Sequence, residues 1–150
     1  LNRQFNAEKP DQVWVSAITS IQTVTGLLFL TIIMDLYDRN IIGWSLSDRL
    51  TIKETSMPAW EMAVQGRTIE KELLFHSDRG PQYANKAFTR KLASYKCIKR
   101  SMSRKGNYLD NAIPRNFFTS LKSELVQSDD PVTKKQIEEA LIASPRNCSK

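Results

Sequence analysis

Short apolar runs alternate along the chain with stretches of helical spacing, and the period of each run assigns it an element. Residues 13–23, VWVSAITSIQT, are dense in β-branched side chains with partial alternation and predict a first strand. TGLLFLTIIMDLY over 25–37 predicts a second, the turn DRN occupies 38–40, and IIGWSLSD over 41–48 predicts a third. Connections this short imply an antiparallel meander. A helix is expected from Ser56 to Gln65, where Pro58 fits the first turn and Ala59, Met62 and Ala63 form an apolar stripe. LLFHS at 73–77 reads as a buried strand entered from a crossover helix, and therefore parallel to the first.

In the second half, Ala84, Phe88, Leu92 and Tyr95 share one face of a helix, with Lys86, Arg90 and Lys91 off it. CIKRSMS at 97–103 is a candidate fifth strand, and RKGNYLDN at 104–111 is a polar loop. From 111 to about 127, Pro114, Phe117, Phe118, Leu121 and Leu125 fall on one side of a helix while Arg115, Thr119 and Lys122 cluster on another. A last helix covers about 132–143 before the aperiodic SPRNCSK. Three antiparallel strands followed by alternating helix and parallel strand predict an α/β fold with a five-stranded mixed sheet flanked by helices. Residues 13–143 would form the core domain, 1–12 a linker remnant and 144–150 an irregular tail. The first segment has neither an initiator Met nor a signal-type apolar core, so a piece of a longer protein is expected.

Composition narrows the class. Apolar residues make up 41% and charged residues 25%, as in ordinary soluble domains. The longest apolar run, GLLFLTIIM, is about half the ~20 residues a bilayer span needs, so no membrane partner is expected. Cys97, Cys148 and the lone His76 indicate neither a zinc quartet nor a disulfide framework, and the thiols read as idle. Charge is uneven: residues 1–75 hold 7 Lys and Arg against 9 acids, a balance of −2, whereas residues 76–150 hold 15 against 7, a balance of +8. Between Arg79 and Lys122 eleven basic residues face one acid, Asp110, and such a surface points to a polyanion as partner.

One stretch carries chemistry. HSDRGPQYAN at 76–85 sets Asp78 at the mouth of a buried strand. Together with VWVSAITSI, LTIIMDLYDRNIIGWSLSD, RSMSRKGNYLDNA and FFTSLKSEL, in that order over about residues 2–142, it resembles the integrase core of bacterial insertion-sequence transposases, the group related to retroviral integrases. The resemblance implies an RNase H-like fold and a metal-dependent polynucleotidyl transferase built on two aspartates and a glutamate. Hard cations such as Mg2+ or Mn2+ prefer oxygen ligands, and two ions about 4 Å apart would activate the attacking oxygen and stabilise the leaving one. It further implies DNA as partner, a homodimer or other transposase subunits, and a cytoplasmic, nucleoid-associated location in a bacterium.

Carried over position by position, the family pattern matches at Asp78 only. The first aspartate position holds Ala17, and the glutamate position holds Arg115, so a degenerate and inactive centre with weak metal binding at Asp78 is expected. Of the other acids, Asp35 and Asp38 flank a turn, and Asp110 is the better substitute for a missing ligand, although it also suits helix capping. Glu124 lies nine residues beyond Arg115, about 13 Å down the helix axis. Phosphate contacts are assigned to Arg79, Arg100, Arg104, Lys105 and Asn107 on the loop side, and to Arg115, Thr119 and Lys122 on the exposed helix face. Two other readings stand beside this one: a non-catalytic regulatory or oligomerisation module that pairs with an intact transposase, and an unrelated hydrolase using His76 or Ser77, which lacks a Gly-x-Ser-x-Gly elbow. Trp14, Trp44 and Trp60 are expected in the core, and Tyr83 and Tyr108 beside the site.

Overall fold

The computed structural model describes residues 13–37, 40–50, 55–66, 73–77, 86–93, 98–102, 112–127 and 132–143. The order along the chain is β1 (Val13–Thr23), β2 (Gly26–Asp35), β3 (Asn40–Ser47), α1 (Ser56–Gly66), β4 (Leu73–Ser77), α2 (Lys86–Ala93), β5 (Ile98–Met102), α3 (Ala112–Gln127) and α4 (Lys134–Ala143). The sheet runs β3-β2-β1-β4-β5. Side chains are described along four of these strands, not five; of β5 they are described only at Ile98. β1 pairs antiparallel with β2, β2 antiparallel with β3, and β4 parallel with both β1 and β5.

β1 and β2 form a hairpin around Val24 and Thr25, with Thr23 opposite Gly26. Neither turn residue is Gly or Asn, and the left-handed backbone falls instead on Gly26, at φ 128°. The Thr23 hydroxyl donates to the Gly26 carbonyl at 2.6 Å and closes the turn. At the other end of the pair the β2–β3 register jumps: Ile33 faces Gly43 and Met34 faces Ile41, which leaves Ile42 as the extra residue of a bulge.

Alternation along β1 divides the core between the two faces of the sheet. Val13, Val15, Ala17 and Ile21 join Leu28, Leu30, Ile32 and Met34 beneath Phe117, Phe118, Leu121 and Leu125 of α3 and Ile137 and Leu141 of α4. Trp14 and Ile33 point the other way and meet Ala59, Trp60 and Ala63 of α1, Phe75 of β4, and Phe88 and Leu92 of α2. The sheet is thus sandwiched between helix layers, each held by one apolar stripe.

Trp60 organises the second cluster. Its ring meets Trp14 and Phe75 with centroids 5.5 Å apart and Phe88 at 6.4 Å, all three edge to face. This is the preferred arrangement for rings with electron-rich faces and positive edges. α1 can lie this close because β3 offers Gly43 beneath it: a Cβ there would overlap the Ala59 carbonyl oxygen and sit 3.1 Å from the Ala63 Cβ. Trp14 and Trp60 are fully buried and Trp44 half-buried, in keeping with packing roles.

α4 is started by a capping box. The Gln136 amide donates to the Thr133 hydroxyl at 3.2 Å, and the Thr133 amide donates to the Gln136 side-chain oxygen at 2.9 Å. Val24 at the hairpin tip donates its amide to the Val132 carbonyl at 3.0 Å, which pins the start of α4 to the β1–β2 turn.

Candidate functional site

The candidate site is built on the seam between β1 and β4. Their parallel register pairs Val13 with Leu74, Trp14 with Phe75 and Val15 with His76, a constant offset of 61 residues. Ala17 and Asp78 are separated by the same 61 positions. Ala17 is 3% exposed, pairs with Ile32 across the sheet, and belongs to the apolar cluster under α3. Its methyl group offers a cation no electron pair.

α3 crosses this face, buried along Phe117, Phe118, Leu121 and Leu125. Thr119 on its outer flank is exposed. Lys122 departs from expectation. It is half-buried, and its ammonium donates to the Thr19 hydroxyl at 2.9 Å, so it lies over β1 and not on an open helix face. The long aliphatic stem explains the difference: it covers apolar surface while carrying the charge to a polar atom on the strand. Thr19 is two residues beyond Ala17 and therefore projects from the same face of β1. Sequence reasoning missed Thr19; its only signal was its spacing of two from position 17.

The other assigned residues fall as follows. Asp78, Arg79, Arg104, Lys105 and Asn107 lie outside the described residues, as do Asp38, Asp110, Tyr83, Tyr108, Cys97 and Cys148. For Arg100 in β5, and Arg115 and Glu124 in α3, the backbone is described. Asp35 is fully buried, and its carboxylate accepts the Tyr37 amide at 3.0 Å, closing the end of β2. Asp35 is paired with Trp14, so it shares the α1 face, opposite to that of Ala17, and cannot substitute for an acid at position 17. His76 and Ser77 are 1% and 0% exposed, which matches packed strand-end residues better than a nucleophile waiting for substrate.

Among the described residues, no three His, Cys, Asp or Glu side chains gather where they could hold a metal ion. The donor chemistry at position 17 does not suit one either. No helix among the described residues is long and apolar enough to cross a membrane.

A mixed sheet of this order, with the central strand joined in parallel to β4 and helices on both faces, defines an RNase H-like core of the integrase and transposase type. The chain belongs to the integrase core domain family, whose model matches residues 7–108. It is similar to the transposase InsF of insertion sequence IS3A from Escherichia coli strain K12, at 36% identity over 129 residues, covering 86% of this chain and 44% of that protein. The chain therefore spans less than half the length of the relative it matches. Two solved structures share the fold. One is a simian T-cell lymphotropic virus intasome in complex with the PP2A regulatory subunit B56 gamma, matched at TM-score 0.75 and 17% identity over 91% of this chain and 49% of the other. The second is the HTLV-2 integrase catalytic core domain in complex with magnesium, at TM-score 0.66 and 20% identity over 91% and 86%. The family expected from the ordered motifs is shown, and with it an α/β fold of the RNase H-like kind.

Proposed function

We propose that this chain is the core of an insertion-sequence transposase in which metal-dependent strand transfer has been lost and nonspecific affinity for DNA remains. The observation that carries the reading is the buried methyl group of Ala17 on the central strand, at the position where the family pattern has its first aspartate. In the family pattern an aspartate at 17, Asp78 and a glutamate at 115 would gather Mg2+ or Mn2+, which would polarise the phosphate and the attacking oxygen. Here two of those three positions carry a methyl group and a guanidinium. A permanent cation at 115 opposes metal binding, because it replaces an electron-pair donor by a like charge. The residues present do not fit the ion, and no catalytic step is assigned to it.

DNA would be held by phosphate contacts from Arg79, Arg100, Arg104, Lys105, Asn107, Arg115 and Thr119, with Lys122 contributing from its place against β1. Such contacts position a duplex without reading its sequence, and their strength falls steeply with salt. Residence on the bacterial nucleoid would follow from that affinity. The test is a nicking and strand-transfer assay with Mn2+: the purified chain should give no product above background, and the double variant Ala17→Asp with Arg115→Glu should gain activity. Turnover by the unaltered chain would overturn the reading.

A second reading, a regulatory module that pairs with an intact transposase, is favoured by the large apolar side chains left exposed at the hairpin tip, Val24 at 60% and Leu27 at 44%. Light scattering of the chain alone and mixed with an active relative separates the two readings. A mixed complex together with inhibition of transfer supports the second.

A further inference from the structure

We infer that a single internal water molecule is bound beneath the start of α1, bridging the hydroxyls of Thr31 and Ser56. The site is independent of the chemistry at position 17. Thr31 is fully buried in β2, and Ser56, the first residue of α1, is 1% exposed, yet neither hydroxyl oxygen has a hydrogen-bond partner in the protein. Elsewhere in the sheet a buried hydroxyl is satisfied directly, as where Ser16 donates to the Ile32 carbonyl at 2.8 Å. A buried hydroxyl left dry bears the whole cost of its desolvation. Folded interiors therefore supply ordered water where no protein group reaches such an atom.

The sheet brings the two hydroxyls to one place. Thr31 precedes Ile33 by two residues and shares the α1 face with it, and its cross-strand partner is Ser45 of β3. Ser45 lies two residues beyond Gly43, over which α1 sits, and its hydroxyl donates to the Thr55 carbonyl at 2.8 Å. Thr55, fully buried, is the chain neighbour of Ser56. Directly opposed side chains stand about 5 Å apart, so short steps lead from Thr31 through Ser45 and Thr55 to Ser56. A hydroxyl both donates and accepts, and the Thr31 and Ser56 pair meets the minimum of about two polar partners that a buried water needs. The side chains also fix the class of ligand. Thr31, Ser45 and Ser56 are all neutral, so an ion shut in among them would keep its desolvation cost uncompensated, whereas water would not.

The experiment compares the full chain with its variants by oxygen-17 relaxation dispersion, which counts long-lived internal water. The double variant Thr31→Val with Ser56→Ala should hold one molecule fewer than the parent, and an equal count overturns the inference. Urea denaturation then reads the sign of the effect. With the water in place, Thr31→Val and Ser56→Ala each strand the other hydroxyl, so each should lower the folding constant by roughly five- to thirty-fold. The double variant should fall by less than the product of the two, because both substitutions break the same bridge. A dry pair behaves in the opposite way: each deletion removes a desolvation cost, and a raised urea midpoint in either single variant overturns the inference. Where a variant fails to fold, the unaltered protein decides. A cross-peak between water and the Thr31 methyl group is expected in its rotating-frame NOE spectrum, and the lack of one overturns the site.

Discussion

Replacing Gly43 by Ala tests the contact that seats α1 on the sheet. The added Cβ would overlap the Ala59 carbonyl oxygen and approach the Ala63 Cβ and backbone nitrogen to 3.1 Å. Two of these three neighbours are helix backbone, which cannot swing aside as a flexible side chain would, so the whole of α1 must shift. Overpacking of this kind costs about 1–3 kcal/mol. For a domain of about this size each kcal/mol moves Tm by about 2–4 °C, so a loss of about 2–12 °C is expected. The displacement also loosens Trp60 from Trp14, Phe75 and Phe88, so the near-ultraviolet circular dichroism should lose intensity. Gly66 is the control: a Cβ there meets nothing within 4 Å, and Gly→Ala in a helix gains roughly 0.5–1 kcal/mol. Scanning calorimetry of both variants checks the argument. It fails if Gly43→Ala melts within about one degree of the parent, or if Gly66→Ala loses as much.

Two further outcomes are expected. Trp60→Leu removes three edge-to-face ring contacts and leaves space in a fully buried cluster, so urea denaturation should show a loss of about 3 kcal/mol or more. Thr133→Ala deletes one half of the capping box of α4 and should cost about 1 kcal/mol, read as a lower urea midpoint at unchanged m.

The elements were legible because their periods are strong. The β-branched run 13–23 coincides with β1, and Phe117, Phe118, Leu121 and Leu125 of α3 pack as their stripe predicts, whereas on α1 Ala59 and Ala63 pack but Met62 is exposed and Trp60 is buried in its stead. What stayed hidden depends on contacts between distant segments. Nothing local marks Ile42 as a bulge, since a bulge is defined only by its partner strand. Gly43 looks like any strand glycine until α1 is laid over it. Lys122 shares a helical flank with Thr119, yet Thr119 is exposed while Lys122 is half-buried, so spacing alone could not tell an exposed cation from one resting on Thr19. At the candidate site, the ordered motifs identified the family, while the burial of Ala17 and the turn-closing role of Asp35 emerged only from the sheet.

The central strand also imposes an order of assembly. β1 meets β2 across two turn residues, but its other neighbour arrives 61 residues later in the chain. Closing so long a loop is slow, so the three-stranded meander should gain hydrogen-exchange protection first and β4 afterwards, an order that pulse labelling during refolding can read directly. In that interval β1 presents a bare edge able to capture strands from neighbouring chains, and its seam with β4 zips only after the meander. A nascent chain released before Leu73 would therefore be a nucleus for aggregation, whatever the fate of its chemistry.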